Sequence, residues 1–167
     1  MTRLVPWAML ASALVGTALL AFFYWDQLPA RVASHFGPGG QANGWMSKPG
    51  FVAVMLATQV GVAAMMLGVG YLIRVLPTSM INIPNREYWL AESRRDRTLR
   101  ETASMMAWIA AGTAVFLMVV YWLTLDANVD EKGLNSTATW ISTIVFIAGL
   151  IGFCVVRLSK YYRVPTE

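Results

Sequence analysis

An all-α bundle of four membrane-spanning helices is the fold this sequence predicts, and three observations predict it. The chain of 167 residues is 57% apolar and only 13% charged, where a soluble globular domain carries about 25% charged residues. The apolar excess gathers into four blocks, near residues 5–25, 51–73, 103–125 and 138–157. Each is close to the roughly 20 residues that cross a hydrocarbon core about 30 Å thick. No block alternates polar and apolar residues, and backbone amides in lipid must pair within their own segment, so the blocks are read as helices. Short loops join them, and residues 1–167 are expected to form a single membrane domain.

The first block follows Arg3 and could pass for a secretion signal. Its apolar run, Leu4 to Trp25, is longer than the roughly 7–15 residues of a signal core, and no small-x-small cleavage site follows it. A retained helix is expected. The next segment, LPARVASHFGPGGQANGWMSK at 28–48, breaks the apolar pattern. Pro29 disfavours helix at Leu28. The glycines and proline of FGPGGQANG force turns. Trp45 can dip to the membrane interface, and Ser47 can cap a helix that starts at Pro49. An ordered loop folded back on the membrane is expected. It holds the single histidine, His35, with Asp26, Gln41 and Asn43 nearby in sequence. One histidine among amides is a poor metal set, because a zinc site takes three or four Cys, His or carboxylate ligands. His35 is therefore read as a structural hydrogen-bonding group, and no metal or cofactor is expected.

Apart from Arg157 at the very end of the fourth, the four blocks contain no Asp, Glu, Lys, Arg or His. Ion-coupled transporters and proton pumps usually place such a group near the midplane. Gln59 is the most polar residue of span two, and an interhelical hydrogen bond is its expected role. Small residues recur four apart at Ala53, Ala57 and Gly61, at Ala110 and Ala114, and at Ala148 and Gly152. These stripes let helices approach closely and could serve the interior of the bundle or a partner, with the interior as the preferred assignment. The ten methionines read as adaptable packing, and Cys154, the one cysteine, as a small buried residue.

Between spans two and three runs LPTSMINIPNREYWLAESRRDRTLRETASMMAW. Its prolines and Asn85 predict a turn. From about Ala91 the residues favour helix, expected to continue unbroken into span three, with Glu92–Arg95 and Asp96–Arg100 paired across one turn. The residues singled out in this connector are Asn85, Arg86, Tyr88, Trp89, Arg94 and Arg95. Its six arginines face Glu87, Glu92, Asp96 and Glu101. A net charge of only +2 remains, too little for a polybasic lipid switch or a phosphate-binding surface. No nucleic-acid partner is expected.

Orientation follows from the basic residues. Arg3, the six connector arginines Arg74, Arg86, Arg94, Arg95, Arg97 and Arg100, and Arg157, Lys160 and Arg163 stand on one side. Only Arg31, Lys48 and Lys132 stand on the other. Cytoplasmic loops keep the positive excess, so both termini and the 74–102 connector are expected inside, and the 26–50 and 126–137 loops outside. Tyr24, Trp25, Trp45, Trp89, Tyr121, Trp122, Trp140, Tyr161 and Tyr162 fall near span ends, as interfacial aromatics do.

The 28–48 segment resembles the signature of an uncharacterised bacterial membrane domain found in SdpI-like immunity proteins. That signature runs Leu-Pro, a hydrophobic residue, His, Gly, Trp or a neighbour, then Ser-Lys. It falls on Leu28, Pro29, Val32, His35, Gly40, Gly44, Trp45, Ser47 and Lys48. NIPNREYWLAESRRDRT is similar to a stretch of short stand-alone members, so the resemblance spans roughly residues 5–102. SdpI-like proteins protect a producing cell from a peptide toxin and hold a cytoplasmic repressor at the membrane. They are usually longer, with more spans than the four read here.

The resemblance implies a small, multi-pass protein of the bacterial inner membrane. It would sense or resist an envelope factor through a recognition loop of Leu28, Pro29, His35, Phe36, Gly40, Gly44, Trp45 and Lys48. The alternative is a structural or accessory subunit of a larger membrane complex. The lipid bilayer is the expected partner, with a membrane protein or a second copy beside it. No small-molecule substrate is identified. No span or loop offers a nucleophile beside a base, a carboxylate pair or a metal set, so a non-enzyme is expected.

Overall fold

The computed structural model describes residues 4–130 and 132–165, and Arg3 of the charge pattern lies outside them. Helix α1 runs Val5–Tyr24, with Pro6 in its first turn, where a missing amide costs nothing. A single 3-10 turn, Trp25–Gln27, carries it to Leu28. Strands β1 (Arg31–Phe36) and β2 (Ala42–Ser47) follow, then α2 (Lys48–Val75). The connector holds a 3-10 turn at Thr78–Met80 and the short α3 (Arg86–Trp89). The chain ends with α4 (Glu92–Asp130), α5 (Ser136–Ser159) and a 3-10 turn at Lys160–Tyr162. Helices make up 77% of the structure. Four of them are long and apolar enough to cross a membrane, and the fold is an all-α four-helix membrane bundle carrying one small β-hairpin.

Several boundaries follow from local chemistry. The hydroxyl of Ser47 accepts the amide of Gly50 at 3.3 Å and caps α2, as expected of it, although the helix begins one residue before Pro49. Pro77 stops α2 after Val75. Asn85 sits in the left-handed region at φ 50°, which asparagine tolerates better than most residues, and turns the chain into α3. The expected continuous helix through the connector is present. At 39 residues and about 1.5 Å per residue, α4 is about 58 Å long, nearly twice the hydrocarbon thickness. Its Glu92–Glu101 segment, rich in charge, stands beyond the apolar span.

Helix α4 is the centre of the bundle. It packs against α1, α2 and α5, whereas α1 and α2 touch each other little. Mid-bundle, Leu10, Ala13, Ala63, Ala111 and Ala114 form a core of small side chains that brings the three backbones close. The Gln59 amide lies buried there and donates to the carbonyl of Ala114 at 2.9 Å, the interhelical bond expected of it. Helix α5 rests mainly on α4, through a stacked Phe116–Phe146 pair at 4.4 Å, and none of its residues is buried.

That arrangement corrects the reading of the small-residue stripes. Ala110 and Ala114 are inside the bundle, but Ala53, Ala57 and Gly61 of α2 and Ala148 and Gly152 of α5 face outward. The inward face of α2 is instead Phe51, Gln59, Ala63 and Gly70. Cys154 is half-buried rather than buried, because α5 is peripheral. Tyr121 is not an interfacial aromatic. It is 1% exposed and stacks on Phe51 at 5.6 Å. Tyr161 is buried as well.

Candidate functional site

The segment read as a turn-rich loop is a β-hairpin. Strands β1 and β2 pair antiparallel, with Arg31 opposite Ser47, Val32 opposite Met46, Ala33 opposite Trp45, His35 opposite Gly44 and Phe36 opposite Ala42. The register shifts around His35. The tip is Gly37–Gln41, closed by the Gly37 amide on the Gln41 carbonyl at 2.8 Å. The strands had no clean period-2 signal because the irregularity at His35 interrupts it and Ala, Asn and Gly in β2 have low strand propensity. A five-residue, glycine-rich gap between two runs was nevertheless a hairpin signal.

Two-stranded hairpins are marginal in water by themselves, and this one is fastened at four points. Its inner face enters a core of Ala21, Leu28, Val32, Phe51, Tyr121 and Leu125, with Met46 packed against it. Its base is held by Lys48, whose ammonium donates to the carbonyls of Trp25 at 2.9 Å and Leu28 at 3.1 Å. These carbonyls end the first helical segment, where a cation is favoured. Its tip is held by Gly40, buried and at φ +83°, whose carbonyl accepts the Leu134 amide at 2.9 Å. Gly133, at φ +80°, backs onto Gly40, and a Cβ there would stand 2.7 Å from the Gly40 oxygen. Only glycine takes both the positive φ and the close approach without strain.

The fourth fastening involves a residue that sequence reasoning missed. Asn128, buried in α4, accepts the Ala33 amide at 2.7 Å and donates to the Ala33 carbonyl at 3.0 Å and to Thr124 at 2.8 Å. The reason Ala33 is available is the strand register. The Lys48 amide bonds the Ala30 carbonyl at 3.1 Å, which makes 30–48 a hydrogen-bonded pair. By the antiparallel alternation, both backbone groups of Ala33 then point away from β2. The side-chain amide of Asn128 stands in for a third strand. Its only sequence signal was a lone amide at the end of an apolar span.

The signature residues therefore divide by role. Leu28 and Val32 are core, Lys48 and Gly40 are fastenings, and Gly44 leaves room for His35, whose Cβ would be 3.0 Å from an added methyl. His35 is exposed, and its Nδ1 donates to Asn43 Oδ1 at 2.7 Å, a bond between the strands. Among the described residues no group of His, Cys, Asp or Glu is placed to share a metal. Pro29, Phe36 and Trp45 line a cleft of about 520 Å³ that extends from the hairpin to the end of α4, with Arg31 and Lys132 at its rim. Trp45 is 52% exposed there.

At the opposite end of the bundle the connector residues are brought together around Tyr161. Its carbonyl accepts Asn85 Nδ2 at 2.9 Å and Trp89 Nε1 at 3.3 Å. Its hydroxyl lies 3.1 Å from that of Thr102, and its ring meets Trp89 edge-on. Arg94 stacks over Tyr88 at 4.1 Å, while Arg86 and Arg95 are exposed. The expected Glu92–Arg95 and Asp96–Arg100 pairs are not formed. Glu101 instead takes both Arg97, at 3.0 Å, and Lys160. Exposed helix pairs are worth only about 0.3–0.5 kcal/mol, so packing contacts override them. Partial burial of Glu101 opposes its charge, but the hydrogen bonds from Lys160 and Arg97 outweigh it and hold the carboxyl below its ordinary range.

A family model described as a domain of unknown function, DUF1648, matches residues 13–60. The chain is similar to DUF1648 over that segment. No curated protein matches the chain, and no solved structure does. The DUF1648 segment begins midway along α1, contains the whole hairpin and ends just past Gln59. It thus holds two of the hairpin's anchors, Lys48 and the Leu28–Val32–Phe51 core. The other two, Asn128 and Gly133, lie outside it. The protein is a small multi-pass membrane protein, similar to that uncharacterised domain over residues 13–60.

Proposed function

We propose that this is a bacterial cytoplasmic-membrane protein with both termini inside, whose outward hairpin recognises an envelope factor in the manner of SdpI-like proteins. One observation carries the reading. A hairpin that could not stay folded alone is fastened at four points, yet leaves Trp45 and Phe36 around an open cleft. A fixed frame lowers the ordering cost of binding, and buried aromatics supply much of the energy of recognition, often about 2 kcal/mol or more each. Lys132 at the rim pairs with Asp130 at 3.1 Å, and Arg31 beside it favours an occupant with an acidic or carboxy-terminal group. The role is binding, with no catalytic step. The test compares two variants for the complex or resistance the native protein supports. Phe36→Ala with Trp45→Ala should abolish it, and Arg94→Gln with Arg95→Gln and Arg97→Gln should retain it. The reverse outcome, with both variants inserted natively, moves recognition to the arginine end.

A second reading, an accessory subunit without a ligand of its own, has one specific observation in its favour. The small-residue stripes of α2 and α5 face outward, where a partner helix could approach closely. Native sizing after gentle detergent extraction separates the two. A free monomer or homodimer supports recognition, and a stable large complex supports the subunit.

A further inference from the structure

At the end of the bundle opposite the hairpin, all four long helices border a cleft of about 730 Å³. Arg74 from α2, Arg100 from α4 and Arg157 from α5 converge on it. Among the described residues none of the three has a carboxylate within ion-pair distance, because the one acid of the cleft, Glu101, is engaged by Arg97 and Lys160. The cleft also changes character with depth. Leu67 lies seven residues before Arg74, and Ala107 seven after Arg100. Each is about 10 Å, two helical turns, further into the membrane. Trp7 and Tyr71 stand at its sides and are exposed, as aromatics at the headgroup level are. Three uncompensated guanidinium groups therefore sit above an apolar floor at the depth where a phosphate sits above its acyl chains.

We propose that this cleft is a binding site for one anionic phospholipid, its phosphate held by Arg74, Arg100 and Arg157 and its upper acyl chain laid along Leu67 and Ala107. Guanidinium forks suit phosphate oxygens, and basic pockets between transmembrane helices are a recognised way to hold such headgroups. A soluble anion would gain the charges but leave the apolar floor open to solvent. A zwitterionic lipid would fill the floor but gain little from three cations. Only an anionic lipid satisfies both halves.

The test uses the full chain purified in a non-ionic detergent, with bound lipid counted by native mass spectrometry. The probes are phosphatidylglycerol and phosphatidylcholine of the same acyl chains. One phosphatidylglycerol should bind in clear preference to phosphatidylcholine. Each arginine near an anionic headgroup is worth about five-fold in affinity, and three together on the order of 100-fold. Arg74→Gln, Arg100→Gln and Arg157→Gln combined should erase the preference, and Arg100→Gln alone should reduce it about five-fold should the triple variant misfold. The control triple Arg86→Gln, Arg94→Gln and Arg95→Gln, at the same end but outside the cleft, should keep it. Equal binding of the two lipids by the native chain would overturn the proposal. So would loss of the preference in the control triple, which would make it a general effect of surface charge. Displacement of the lipid by millimolar inorganic phosphate would assign the site to a soluble anion instead.

Discussion

Asn128 and Tyr121 show how differently two buried polar side chains on one helix are placed. Asn128 spends its oxygen and nitrogen on Ala33 and Thr124, so truncating it leaves a strand amide and carbonyl without partners. Each buried group left unpaired costs about 1–3 kcal/mol. Asn128→Ala should therefore lower thermal stability in detergent markedly and raise amide exchange at Ala33. Asn128→Asp should do no better at neutral pH, since a carboxylate can accept from the Ala33 amide but repels its carbonyl. Unchanged exchange at Ala33 in both would show that the hairpin does not depend on this contact. Tyr121 is the converse case. Its ring fills the core against Phe51, but its hydroxyl has no hydrogen-bond partner among the described residues. Removing a buried, unpaired polar atom relieves a desolvation cost. Tyr121→Phe is expected to be neutral or to stabilise by up to about 1 kcal/mol, measured as an unchanged or higher melting temperature, and a clear loss would reveal a partner for that hydroxyl.

At the scale of elements, the hairpin, the connector and α5 differ in what holds them. The last turn of the chain, Lys160–Tyr162, is fixed to α4 by the Lys160–Glu101 pair and by Tyr161 packed on Trp89. The Glu101 carboxyl is held below its ordinary value of 4.5. A depressed carboxyl contributes stability above its unfolded value and loses it as pH falls through the folded one. Protection from hydrogen exchange in residues 160–162, relative to the intrinsic amide rate at each pH, should therefore fall below about pH 4.5, and Glu101→Gln should show the lower protection already at neutral pH. An acid response unchanged by Glu101→Gln would place its origin elsewhere. The long elements were legible in the sequence because apolar length alone decides a membrane helix: the four blocks, the Ser47 cap and the unbroken α4 all follow from local composition. The hairpin was not legible as strands. Two of its four anchors, Asn128 and Gly133, lie some ninety residues away, and local propensity carries no trace of them. The outward stripes of α2 and α5 were misplaced for a related reason. A spacing of four says which residues share a helix face, but only packing says where that face points.

On the scale of the whole molecule, the two ends are chemically unlike. One carries the hairpin, Lys132 and the 132–135 connector, drawn together by Gly40 and Gly133. The other gathers the start of α1, the connector arginines and the C-terminal turn around the Arg74–Arg100–Arg157 cleft. Basic residues are retained on the cytoplasmic side, so the arginine end should face the cytoplasm and the hairpin the outside. Recognition of an envelope factor requires that orientation, which makes it the central claim. It is tested most directly by cysteine accessibility in intact cells. In a Cys154→Ser background, Gln41→Cys at the hairpin tip and Arg95→Cys on α4 are each exposed to a membrane-impermeant maleimide. The account predicts labelling at position 41 in intact cells and at position 95 only after permeabilisation. Labelling at 95 in intact cells, with 41 protected until the membrane is opened, would contradict it.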